Sequence, residues 1–309
     1  MAATGIPAPL TFRYNVADDV PLELDVYLPQ HPSSSSNGAA LIFFHGGLAP
    51  LARGWPVVSI DYRLLPQVDG EAIRQDIISA WRFIVDELPS KLPAFKIDPL
   101  RLTAAGQSAG GYLAYLAGAH CHPRPAAVFS IYGISTFNDP FFVEKIQLNE
   151  YPLKRADLVH YLDSPSIISG DDSVFDAPSD APDAADLSGL DRLRIKLDRP
   201  ALYDYFVQEG LLPAAVGDSR DLDPLQLLDA SYPPTITLHG TGDRLVPHYM
   251  SSKVVEKLKA LGIEAHQFEV EGVDHGFEVF SHAYDRPGSN IWSTYLEKPF
   301  LALNKIYGR

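Results

Sequence analysis

Arg101-Leu-Thr-Ala-Ala-Gly106-Gln107-Ser108-Ala109-Gly110-Gly111 is the stretch on which the fold turns. Arg101–Ala105 reads as a short strand, and Gly111–Ala119, small and apolar throughout, as a helix set tightly against a sheet. Between them stands the pattern G-x-S-x-G. It places Ser108 on a sharp strand-to-helix turn with strained backbone angles, and the flanking glycines let the two segments pass closely. The serine oxygen is thereby pushed out above the sheet. The N–H of Ala109 opens the helix, where the dipole favours negative charge and an oxyanion can be held. A glycine-bracketed serine can also be no more than a tight turn. The strand before it and the helix after it favour a nucleophile.

Outward from this turn the chain keeps one rhythm. Ala39–Phe44, Pro56–Ile60, Ala126–Tyr132, Pro234–His239 and Ala265–Glu271 are apolar runs bounded by turn signals, as buried parallel strands are. Asp69–Leu88 predicts a helix, with Ile73, Ile77, Trp81, Ile84 and Leu88 on one face, Asp69 as N-cap and Pro89 as the stop. His248–Leu261 and Asn290–Tyr307 predict two more, the last kinked at Pro299. Thr11–Val16 and Leu22–Leu28 form a hairpin about Asp18-Asp19 and add an antiparallel edge. The fold class is α/β: a mostly parallel central sheet with helices on both faces. Residues 135–231, rich in Asp, Pro and Ser, break the rhythm and read as an inserted cap or lid. That leaves 1–134 and 232–309 as the core.

Two later segments supply acid and base. His239-Gly-Thr-Gly-Asp243 and Gly272-Val-Asp-His275-Gly-Phe277 each follow a predicted strand. A serine hydroxyl needs an adjacent base, and the base needs a carboxylate that fixes its tautomer. Ser108, Asp243 and His275 stand in the chain order expected of a strand–turn–helix nucleophile. Competitors stand close by. Asp274 adjoins His275 and reads as a solvated carboxylate. His239 and His248 lie near Asp243 and read as structural, and Glu278 falls in the helix predicted after the histidine. His45-Gly46-Gly47 follows the first buried strand. Its N–H groups can complete an oxyanion hole, or it can be an ordinary glycine turn with a packed histidine.

These residues resemble the α/β-hydrolase superfamily, and within it the hormone-sensitive-lipase-like esterases and carboxylesterases. The likeness is carried by His45-Gly46-Gly47, Asp61-Tyr62-Arg63-Leu64, Gly106–Gly111 and Asp274-His275-Gly276-Phe277. It covers the core at both ends of the chain and not the region between about 135 and 231. The resemblance implies cleavage of a small-molecule carboxylic ester through an acyl-enzyme, without metal or organic cofactor. It implies a triad of Ser108, Asp243 and His275, with N–H groups of Gly46, Gly47 and Ala109 as oxyanion donors. Asp61–Leu64 anchors the loop after its strand. Phe137, Phe141 and Phe142 either line the substrate pocket under the cap or are plain cap core.

Three departures from the family pattern follow. Leu48 stands where a third glycine is usual. The acid segment Gly240–Pro247 looks more like that of prolyl-oligopeptidase-type peptidases and some acyl esterases, so an amide or peptide-bond hydrolase (acylaminoacyl-peptidase or formamidase type) is the alternative on the same machinery. Third, only the eight residues Leu48–Trp55 separate His-Gly-Gly from the next strand. Parallel neighbours usually need a dozen or more, with a helix. Eight extended residues reach about 28 Å, against a return of about 20 Å, so the link closes without a helix. One sheet face then needs cover from a terminal helix or a partner, a homodimer included; otherwise the oxyanion loop is distorted or the chain is a shortened form whose deletion weakens folding or activity. A catalytically impaired binding protein on a hydrolase fold is the reading from another class.

Composition bounds the partners. The 309 residues suit one large α/β domain with an insertion, or two modest domains. The net charge of −14 argues against nucleic acid and anionic membrane surfaces. Cys121 is the only cysteine, which rules out an intrachain disulfide and a cysteine metal site. No secretory signal or membrane span is read from the sequence, so a cytoplasmic protein is expected.

Overall fold

The computed structural model describes residues 8–29, 38–44, 55–93, 95–148, 152–170, 199–277 and 295–308. Eight strands form one sheet: β1 (Leu10–Ala17), β2 (Val20–Tyr27), β3 (Ala40–Phe44), β4 (Val57–Ile60), β5 (Leu102–Gln107), β6 (Ala127–Ile131), β7 (Thr235–Gly240) and β8 (Ala265–Val270). Their order is β1-β2-β4-β3-β5-β6-β7-β8. β1 and β2 pair antiparallel, and β2 joins β4 antiparallel. Every pair from β4 to β8 is parallel. The hairpin closes through Asp18 and Asp19, both at positive φ, 49° and 61°. That is the backbone of a two-residue turn matched to strand twist.

The helices are α1 (Gly70–Asp86), α2 (Leu88–Lys91), α3 (Ala109–His120), α4 (Pro140–Val143), α5 (Val159–Leu162), α6 (Ala201–Glu209), α7 (Leu212–Val216), α8 (Pro224–Leu227), α9 (Tyr249–Ala260) and α10 (Glu297–Tyr307). Asp69 caps α1, its carboxylate accepting from the Ala72 N–H. α1 ends at Asp86 with Glu87 as its cap, and Pro89, two residues past that cap, lies in the first turn of α2, consistent with the stop read for it. Pro299 sits in the first turn of α10, just after a short π-helical stretch at 295–296.

Alternation along the strands builds two cores. Ala40, Ile42 and Phe44 face the side covered by α1, α3 and α9, together with Ile77, Trp81, Leu113 and Val254. Ala39, Leu41 and Phe43 face the other side, where Leu296, Phe300, Leu303 and Tyr307 lie against them. Trp55, just before β4, sits edge-on to Phe300 and Tyr307 of α10. The terminal helix therefore covers the face beside the short β3–β4 link, one of the two covers the sequence called for.

The Asp61–Leu64 segment is tied down by charge. Arg63, 7 % exposed, donates to both carboxylate oxygens of Asp76 in α1 and to Asp18 in the hairpin turn. Tyr14 donates to the Asp61 carbonyl at 2.6 Å. Between β6 and β7 the described residues form short helices, α4 to α8, 3-10 turns and an isolated antiparallel bridge from Ser169 to Arg63. Among the described residues no helix is long and apolar enough to cross a membrane, and no group of three or more His, Cys, Asp or Glu could hold a metal.

Candidate active site

Ser108 is the first residue beyond β5 and the cap of α3, with φ 54° and ψ −120°. A non-glycine residue held there stores local strain. The glycines on either side permit it. A Cβ on Gly106 would fall 2.3 Å from the Gly110 carbonyl oxygen, and one on Gly111 would fall 2.8 Å from Gly133 Cα. The Ser108 N–H donates to the Ile131 carbonyl at 2.9 Å, tying the turn to the end of β6. As the first residue of α3, Ala109 has an N–H without an intrahelical acceptor.

The loops after β7 and β8 reach over this turn. Ser108 Oγ lies 2.9 Å from His275 Nε2. His275 Nδ1 lies 2.8 Å from Asp243 Oδ2. The other oxygen of Asp243 accepts the N–H groups of Leu245 and Val246 at 2.9 and 2.8 Å. The Asp243 side chain is fully removed from solvent, whereas that of His275 is 12 % exposed. Burial pushes the Asp243 carboxyl up. Hydrogen bonds from His239 and His275, the charge of His275 and the Val246 N–H outweigh it and hold the carboxyl well below the usual carboxylate range.

Ser108 and His275, 167 positions apart, and Asp243, 32 before His275, thus form one hydrogen-bonded series at the carboxyl ends of β5, β7 and β8. Chemically, such a series can draw a proton from a serine hydroxyl and return it to a leaving group. Asp274 lies at the surface, its side chain 38 % exposed, and pairs there with Arg244, accepting from its Nε at 2.7 Å. Its Oδ1 also accepts the backbone N–H of His275. His248 faces Glu269 at 3.7 Å, away from the series. His45, Gly46, Gly47 and Glu278 lie outside the described residues.

Phe137, Phe141 and Phe142 pack on one another, with neighbouring centroids 5.7 and 5.1 Å apart. Phe142 is fully buried. Phe137 also meets Tyr112 of α3 and lines a cleft of about 460 Å³ with Asn138, Pro213, Gly217 and Asp223. None of Ser108, Asp243 and His275 lines that cleft.

Tyr132 escapes the sequence patterns. It follows β6 with φ 40°, is buried, and sets its ring 4.3 Å from that of His275. A bulky residue at positive φ marks a site where the surroundings enforce the backbone. An aromatic residue at the carboxyl end of a buried strand, in Ile131-Tyr132-Gly133, was the available cue.

Residues 48–197 match a family model described as alpha/beta hydrolase fold. Among curated proteins, the chain is similar to the non-reducing polyketide synthase atr1 of Stereocaulon alpinum, 25 % identical over 304 residues. That match takes in 86 % of this chain and 12 % of the synthase. The synthase mapC' of Penicillium brevicompactum is 27 % identical over 329 residues, 88 % of this chain and 14 % of that protein. The chain thus spans a small fraction of the length of these relatives. Among solved structures it is similar to the native form of a thermophilic esterase from Thermogutta terrifontis, with TM-score 0.60 and 20 % identity. The superposition covers 98 % of this chain and 94 % of the other. The same esterase phosphoramylated by tabun gives TM-score 0.59 at 20 % identity, covering 99 % and 97 %.

Proposed function

The chain belongs to the α/β-hydrolase superfamily, and from that premise we propose that it is a serine hydrolase that cleaves carboxylic esters through an acyl-enzyme. One observation carries this: the unbroken series Ser108 Oγ, His275 Nε2, His275 Nδ1 and Asp243 Oδ2, with links of 2.9 and 2.8 Å. Ser108 attacks the ester carbonyl, forming the Oγ–C bond, while His275 takes the hydroxyl proton. The oxyanion is held by the Ala109 N–H and by Gly46 and Gly47. As the carbonyl re-forms, the C–O bond to the alcohol breaks and His275 gives that alcohol its proton. Water then repeats the sequence on the acyl-enzyme and releases the acid. Residues 135–231 act as the cap that selects the acyl or alcohol group.

The test is intact mass after fluorophosphonate treatment, beside turnover of a short p-nitrophenyl ester, for the wild type and Ser108→Ala. A single adduct and turnover, both lost in the variant, are expected. A folded wild type with neither would overturn the proposal.

A second reading is favoured by the matches to polyketide synthases over most of this chain. The same machinery would accept an acyl thioester, breaking a C–S bond in place of C–O. Faster turnover of acyl thioesters than of oxygen esters with the same acyl group would select it.

A further inference from the structure

Asp243 is touched by two histidines. Besides His275 Nδ1, Nε2 of His239 lies 3.2 Å from the same Oδ2. His239 stands in β7, four residues before Asp243, and is completely buried. Its Nε2 is also 2.9 Å from the carbonyl oxygen of Val246. Its Nδ1 is 2.8 Å from Ser251 Oγ in α9.

The acceptor inventory places the proton. A carbonyl oxygen and a carboxylate oxygen only accept, so the Nε2 that faces both must carry the hydrogen. Nδ1 is then left with its lone pair, which accepts the Ser251 hydroxyl. Ser251 thereby locks the tautomer, as outer partners of working histidines do. With the Leu245 and Val246 N–H groups on Oδ1, the buried carboxylate meets two N–H donors on each oxygen.

Provided Ser108, His275 and Asp243 act as proposed above, we infer that His239 is a positioning residue: it fixes the Asp243 carboxylate for His275, with Ser251 holding its tautomer. Without the His239 N–H, Oδ2 keeps more of its charge for His275 and the carboxylate is freer to turn. His275 is then held more firmly in its protonated form and is less well aimed at Ser108. The other ionisable groups facing His239 and its carboxylate are the Tyr132 ring at 6.2 Å, the His248 ring at 6.4 Å and Tyr203, whose hydroxyl lies near Asp243. Beneath Ser251 lies the Tyr115 hydroxyl.

The experiment is the pH profile of kcat and KM on a short p-nitrophenyl ester for the wild type, His239→Leu, His239→Gln and Ser251→Ala, each checked for folding by circular dichroism. His239→Leu should lower kcat roughly 10- to 100-fold, the worth of a hydrogen bond to a charged group. Its KM should stay within about twofold, and the acid limb of the profile should move to higher pH. His239→Gln, whose side-chain amide offers an N–H near the Nε2 position, should recover most of the loss. Ser251→Ala should show a smaller change of the same kind. A folded His239→Leu with wild-type kcat and acid limb overturns the inference, as does His239→Gln damaged as badly as His239→Leu. If His239→Leu does not fold, the nitrogen-15 spectrum of the wild type decides: a proton on Nε2 of His239 supports the inference, and one on Nδ1 alone overturns it. A wild type inert to both ester and fluorophosphonate fells the hydrolase reading itself, whereas an active wild type with an indifferent His239→Leu fells only the role of His239.

Discussion

Trp55 meets Tyr307 edge to face, their ring centroids 5.1 Å apart, so the last helix of the chain closes the sheet face beside its shortest crossover. Tyr307 also hydrogen-bonds Thr103 in β5, and its carbonyl accepts from Arg101 at 3.0 Å. Tyr307→Ala should cost about 3–5 kcal/mol, as large aromatic-to-alanine changes in cores do. Calorimetry should show a lower Tm, with Tyr307→Phe much milder because the ring remains. An unchanged Tm in Tyr307→Ala would mean that α10 is not an essential cover.

Asp243→Asn keeps the size of the side chain and removes the charge opposite His275 Nδ1. The amide can also turn its N–H₂ toward the ring and favour the wrong tautomer. Ester turnover should fall by roughly ten-thousand-fold while the far-ultraviolet spectrum stays native. Loss below about tenfold would show that Asp243 is not the carboxylate that His275 depends on.

Asp139 clamps two parts of the molecule. Nearly buried, it accepts from Tyr249 at 2.7 Å and from Lys253 at 2.6 Å, both in α9, and caps α4 through the Phe141 N–H. Burial pushes its carboxyl up, but these donors and the Lys253 charge leave it below the ordinary value. A depressed carboxyl stabilises the folded state above its unfolded pKa of about 3.9 and loses that contribution as pH falls through the folded value. Asp139→Asn should therefore be less stable at neutral pH by about 1.5–3 kcal/mol. The difference from the wild type should shrink in acid, which denaturant melts at neutral and acid pH will show. An equal difference at both pH values would count against the clamp.

Gly111→Ala should destabilise by about 1–3 kcal/mol through overpacking. The new methyl would sit 2.7 Å from Ser130 Oγ and 2.8 Å from Gly133 Cα, so α3 must lift from the end of β6. Because Ser108 caps that helix, the same change should lower ester turnover. Thermal melts and p-nitrophenyl ester rates measure the two effects separately.

Much of the frame was legible because it is local. The apolar run read at Ala39–Phe44, the short strand read at Arg101–Ala105, the N-cap at Asp69 and the glycines around Ser108 express backbone preferences and burial patterns acting over a few residues. Order along the chain was enough to pick Ser108, Asp243 and His275 as partners, since each follows a strand that must end on the same side of a parallel sheet. Pro89 was legible as a stop, since it stands two residues past the cap of α1, where a residue that cannot continue the helix is at home.

By itself, then, the sequence determined the alternation of strands and helices and the residues that face one another across the top of the sheet, because those follow from periodicity, turn chemistry and chain order. The tertiary structure alone decided that α10 covers the second face, that Tyr132 lies under His275 and that Asp243 is shared by two histidines. Those contacts join segments far apart in the chain. Which side chains meet there depends on strand order, helix placement and close packing, none of which a local pattern encodes.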